Sequence, residues 1–153
     1  MVIRVLITSM LLCLVVGLSY SKRSVAAEIS DDPADTVRIM YNTHGAVYAA
    51  QFWSPKMKAL WAKQNSLEPG DAALDFDYKS DSQDPDIHDL KIAVIHGLET
   101  DAEVRVTFNE YGKPYELRYD LLKYNGAWVV DDVRKLVGPD DPWVLSEILK
   151  QNK

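Results

Sequence analysis

Cysteine is nearly missing from this 153-residue chain: only Cys13 occurs. That excludes a disulfide framework and any site built on several thiolates. Glycine and proline are sparse at 7 each, so neither a collagen-like nor a low-complexity chain fits. Positive charge is in deficit. Seventeen Lys and Arg stand against 23 Asp and Glu, a formal net charge of −6. An acidic chain of this kind lacks the basic stripe that a nucleic-acid footprint requires. Catalytic signatures are absent too: there is no Gly-x-Ser-x-Gly, P-loop, Gly-x-Gly-x-x-Gly or His-Glu-x-x-His. What remains is a chain that is 47% hydrophobic and long enough for one compact domain.

Long apolar runs are confined to one place, residues 5–20. Arg4 precedes the run, Ser21-Lys22-Arg23-Ser24 follows it, and Val25-Ala26-Ala27 offers small residues for cleavage. This is the order of a secretory signal. We expect cleavage after Ala27, with Ala26 as the alternative. The run is about 16 residues, short of the roughly 20 that span a bilayer. Lys22 and Arg23 behind it are what an uncleaved anchor would carry. Lipidation of Cys13 is not expected, because Leu12 stands where a small residue is needed. Residues 1–27 hold three bases and no acid. Residues 28–153 would therefore form a cysteine-free domain of 126 residues with 14 bases and 23 acids, net −9. The expected location is the periplasm or the exterior, with no membrane attachment after cleavage.

Asp32-Pro33 reads as an N-cap followed by proline at the first helical position. Val37, Met40, Tyr41, His44 and Tyr48 follow at helical spacing, which predicts a helix over about 33–44 with Gly45 near its end. Ser54-Pro55 repeats the signal, with Met57, Leu60 and Trp61 as the apolar face of a second helix over about 55–66. Four strands follow. Leu90, Ile92, Val94 and His96 alternate in the first; Val104, Val106 and Phe108 in the second; Tyr115, Leu117, Tyr119 and Leu121 in the third. Residues 128–133 make the fourth. Tyr111-Gly112 and Asn125-Gly126 are turn dipeptides, so strands two to four should form an antiparallel meander. Asp141-Pro142 predicts a short closing helix to about residue 150 that takes in Trp143, Ile148 and Leu149. The order reads as α+β: N-terminal helices packed on a curved four-stranded antiparallel sheet, NTF2-like or cystatin-like, with a short C-terminal helix.

Residues 68–89 carry eight acids against Lys79 alone and read as an irregular connection. Its aspartates offer hard oxygen ligands for calcium, but the EF-hand template fails: Lys79 and Ser80 stand at positions five and six. A solvated loop whose acids cap turns is the better reading, with a surface for a basic partner as an alternative. No two of the three histidines have metal-motif spacing, and no metal or other cofactor is expected. An NTF2-like cone could host acid–base chemistry on Tyr41, His44 and Asp120. Strand parity places Asp120 opposite Tyr119 and Leu121, facing solvent, which weakens that idea. Trp61 and Trp128 are expected in the core.

These pieces resemble one family. Asp32-Pro33 with Val37 and Tyr41, Leu74-Asp75-Phe76-Asp77 running to Gln83-Asp84, Tyr119-Asp120-Leu121, Trp128 to Val133, and Trp143-Val144-Leu145 look like a family of small exported proteobacterial domains of unknown function. The chain departs from it at Tyr78, where a proline is expected. The resemblance implies an exported α+β domain, and it concentrates any site on Asp75, Asp77, Gln83 and Asp84. The plainer alternative is that these residues fix the loop to the sheet. The function expected is a non-enzymatic binding or accessory protein, of immunity type in one version, that meets a basic protein partner. The rival is a small-ligand binder or enzyme with a pocket lined by Tyr41 and His44.

Overall fold

The structure, a computed structural model, describes residues 32–43, 50–68, 71 and 73–151. The expectations for the signal region, Cys13, His44 and Gly45 lie outside the described residues. The element order is α1 (Pro33–Asn42), a 3-10 turn (Ala50–Phe52), α2 (Pro55–Asn65), β1 (Ile87–Gly97), β2 (Asp101–Glu110), β3 (Lys113–Tyr124), β4 (Ala127–Val137), β5 (Trp143–Val144) and α3 (Leu145–Lys150). The strands form one antiparallel sheet in the order β1-β2-β3-β4-β5. The fold is α+β, with helices against one face of the sheet.

Both N-terminal helices start as their sequences dictate. The Asp32 side chain accepts from the Ala34 amide at 2.7 Å, and Ser54 Oγ accepts from the Met57 amide at 3.3 Å. Pro33 and Pro55 supply the fixed φ of a first helical residue. Helices of 10 and 11 residues are marginal alone, so burial must hold them. Val37, Met40, Met57 and Trp61 supply it, each such side chain contributing about 1.5–3 kcal/mol.

The alternation of β2 and β3 appears as written. Val104 lies opposite Tyr119, Val106 opposite Leu117 and Phe108 opposite Tyr115, all buried. Phe108 and Tyr115 stack with centroids 5.1 Å apart. The other face carries charge: Arg118 binds Glu116 and Glu103, and Arg134 binds Asp120 and Glu103. Asp120 therefore lies on the outward face, as parity required. The two turns hold Tyr111 and Gly112 at φ 47° and 75°, and Asn125 and Gly126 at 51° and 86°. Positive φ at both central residues is the type I′ requirement. Trp61 and Trp128 are both in the core.

Three expectations need correction. Among the described residues the sheet has five strands, not four, because Trp143 and Val144 pair with Lys135 and Arg134. The last helix consequently starts at Leu145. Its first-turn amide at Ser146 is served by Asp132 Oδ1 on β4 at 3.0 Å, which makes Asp141 unnecessary as a cap. In β1 the simple alternation fails. Bulges between His88 and Lys91 and between Val94 and His96 shift the register, so His96 pairs with Glu103 on the outward face.

Candidate functional site

The resemblance concentrates attention on residues 74–84, and the structure gives that segment a defined shape. The Asp77 amide donates to the Ser82 carbonyl at 2.9 Å, closing the loop on itself. The Asp77 carbonyl accepts from the amides of Ser80 and Asp81 at 3.0 and 2.7 Å. Its carboxylate accepts from the Lys79 amide at 2.9 Å. Asp77 is thus used on both backbone and side chain to make the turn. The Asp84 amide donates to Ser82 Oγ at 3.2 Å, and its carbonyl accepts from the Tyr111 hydroxyl at 2.6 Å. Asp75, Gln83 and Asp84 are exposed. The four residues share one loop, with Asp77 turned into it and the other three facing outward. Among the described residues, no group of three or more His, Cys, Asp or Glu could hold a metal ion.

Tyr78, where a proline was expected, is fully buried. Its ring lies 5.3 Å from that of Trp53, edge-on, and 6.1 Å from that of Trp61. A proline could not supply these contacts. The loop is a plug in the core, not only a solvated connection.

Residues left out of the expected site lock this plug, Asp81 among them, which the sequence offered only as one of several acids of the segment. Asp81, at φ 62°, accepts from Lys135 Nζ at 2.5 Å and Trp143 Nε1 at 2.6 Å. The Lys135 and Asp81 side chains are only 1% and 7% exposed. Glu110 is 1% exposed. One of its oxygens accepts from the Asp86 amide at 3.2 Å, and the other is buried with no hydrogen-bond partner among the described residues. Burial pushes the Glu110 carboxyl above its ordinary range. The Asp86 amide and Ser82 oppose that shift, while the charges of Asp81 and Asp86 add to it. Gln64 ties α2 to both neighbours: it donates to the carbonyls of Leu149 and Gln151 and accepts from the Ala73 amide. Parity was the available signal. Glu110 continues the inward series Val106 and Phe108, and Lys135 follows Val133 inward.

The second candidate set centres on Tyr41. Its hydroxyl donates to the Lys79 carbonyl at 2.8 Å and accepts from Tyr119 at 3.3 Å. Burial raises both phenols far above the physiological range, so both stay protonated. Tyr41 therefore pins the loop to α1. Tyr119 points inward and Asp120 outward, so the sheet separates Asp120 from Tyr41. An open groove of about 220 Å³ beside Tyr41 is lined by Arg38, Asn42, Leu90 and Ile92. It is smaller than the roughly 300–1,000 Å³ of ordinary ligand sites.

Further titratable and apolar side chains lie exposed along β1. His88 Nε2 sits 2.9 Å from Asp86, and His96 Nε2 sits 3.9 Å from Asp101. Leu90, Val94, Ile95 and Leu98 are 39%, 43%, 42% and 60% exposed. Among the described residues, no helix is long and apolar enough to cross a membrane. No family model, no curated protein and no solved structure matches this chain.

Proposed function

We propose that this chain is an exported, non-enzymatic binding domain whose partner is a basic protein, with an immunity-type accessory role as one concrete form. The observation that carries this reading is the placement of charge around β1. Asp84, Asp86 and Asp89 stand at one end of the strand and Glu99 and Asp101 at the other. Meanwhile Tyr41, Asp77, Asp81 and Lys135 are spent holding the fold together. Acidic groups gathered at both ends of a strand steer a partner with basic groups and set specificity more than raw affinity. Helices followed by an antiparallel sheet fit an NTF2-like or cystatin-like arrangement, and the Leu74–Asp84 segment supports membership in the exported proteobacterial family.

The test is capture from periplasmic extract on the immobilised protein. We expect a basic protein to be retained at low salt and released at about 0.5 M salt, where exposed charges more than roughly 4 Å apart are largely screened. The variant Asp84→Lys with Glu99→Lys should retain none. Retention of nothing salt-sensitive by the wild type would sink the proposal.

A further inference from the structure

The geometry points to β1 as the docking edge: an extended segment of the partner, apolar in its middle and basic at both ends, adds to the sheet as a sixth strand. This rests on the binding-domain reading and specifies its mode.

Among the described residues, β1 closes one side of the sheet and pairs only with β2. At 11 residues it is long for an outermost strand, and its carbonyls and amides away from β2 form a template for another strand. The opposite side ends in β5, which has two residues. Natural edges are blunted by charge, proline or bulges. β1 has bulges toward both ends, yet Lys91 to Val94 keep an unbroken register with Thr107 to Val104. It contains no proline, and Lys91 is its one lysine or arginine. Leu90, Val94 and Ile95, with Leu98 just beyond, stay exposed beside that regular stretch.

Charge identifies the occupant. A second copy of this chain is disfavoured in either direction. Antiparallel self-pairing would bring Asp86 and Asp89 beside Glu99 and Asp101 of the other copy. Parallel self-pairing would set each acidic end against its own like, and like charges across a strand pair destabilise it. His88 and His96 are each beside an acid already, Asp86 and Asp101. A segment with Lys or Arg at both ends answers the acids. Its centre must be neutral, since Lys91 lies there. Main-chain bonds then give affinity, and alternate side chains on the exposed apolar residues give specificity.

The test uses three labelled peptides titrated into the full chain by fluorescence anisotropy: Lys-Lys-Val-Thr-Val-Thr-Val-Lys-Lys, the same sequence with Glu in place of Lys, and the basic peptide N-methylated at alternate central residues. N-methylation keeps the charge and removes two or more edge hydrogen bonds. We expect the basic peptide to bind and the acidic one not to. The methylated peptide should bind about tenfold or more weaker, and bound basic peptide should slow amide exchange in β1. Glu99→Lys with Asp84→Lys, both at exposed positions, should weaken the basic peptide about tenfold. Equal binding of the methylated peptide, or unchanged β1 exchange, overturns strand addition and leaves the basic-partner reading standing. Failure of the basic peptide to bind overturns both. Self-association through β1 in sedimentation overturns the choice of occupant.

Discussion

The loop of residues 73–86 and strand β1 meet at residue 87, yet their residue types and their burial run opposite ways. The loop carries five aspartates and still buries Tyr78 and Ser80 completely, with Asp81 in an almost fully buried ion pair. β1 carries Leu90, Ile92, Val94 and Ile95, and only Ile87 and Ile92 pack against the core. What covers each region decides the outcome. The loop lies against Trp53, Trp61, Lys135 and Trp143, which offer ring faces and two hydrogen-bond donors. Among the described residues, β1 lies at the rim of the sheet and has a strand neighbour on one side. An acidic segment can be core, and an apolar strand can be surface, when neighbours supply or withhold partners.

The comparison breaks most sharply at the plug. Tyr78→Ala should cost about 3–5 kcal/mol, since a fully buried ring is removed from a cluster with Trp53 and Trp61. Urea unfolding measures this, and a loss under about 1 kcal/mol would show that the loop does not pack as described. Lys135→Met should cost a similar 3–5 kcal/mol, because it leaves Asp81 buried and charged. Adding Asp81→Asn should recover part of that loss, and strict additivity of the two changes would mean the groups do not interact.

A smaller effect depends on pH. The native Glu110 carboxyl is raised above its ordinary value of 4.5, chiefly by burial. A raised acid favours the neutral form when folded. Its contribution is therefore fully present below about pH 4.5 and is lost as pH rises through the native value. Glu110→Gln should thus melt close to wild type near pH 4 and above it at pH 7 to 8. A variant that is relatively weaker at higher pH would reverse the assignment. The smallest effect belongs to β1. Val94→Thr and Leu98→Ser should each change stability by less than about 0.5 kcal/mol. A loss above about 1.5 kcal/mol in either would show that this surface is covered.

How legible this was depends on the range of the forces involved. The two N-terminal helices, the meander and its Tyr111-Gly112 and Asn125-Gly126 turns follow from local rules: capping, period and backbone strain. Those rules act within a few residues, so the sequence displays them directly. The packing of the loop depends on Trp53, Trp61, Lys135 and Trp143, which are distant in sequence, and no local pattern shows that convergence. Only parity hinted at it, through Glu110 and Lys135 at inward positions of β2 and β4. β5 was missed because two residues carry no periodicity. β1 misled because its bulges break the alternation that its residues display. Of the candidate site, the sequence singled out the loop of residues 74–84. It did not show that Asp77 faces inward to build that loop, or that Asp81 is the residue that locks it.

The acidic loop anchors itself in the core through Tyr78 and Asp81 while β1 stays at the edge, and native-state amide hydrogen exchange tests this contrast most directly. The amides of Asp77 and Asp81, bonded to Ser82 and Asp77 at 2.9 and 2.7 Å, should exchange about as slowly as those of β2 and β3. Those β1 amides that do not bond to β2 should exchange orders of magnitude faster. Fast exchange at Asp77 and Asp81 together with protection along the outer side of β1 would contradict the account.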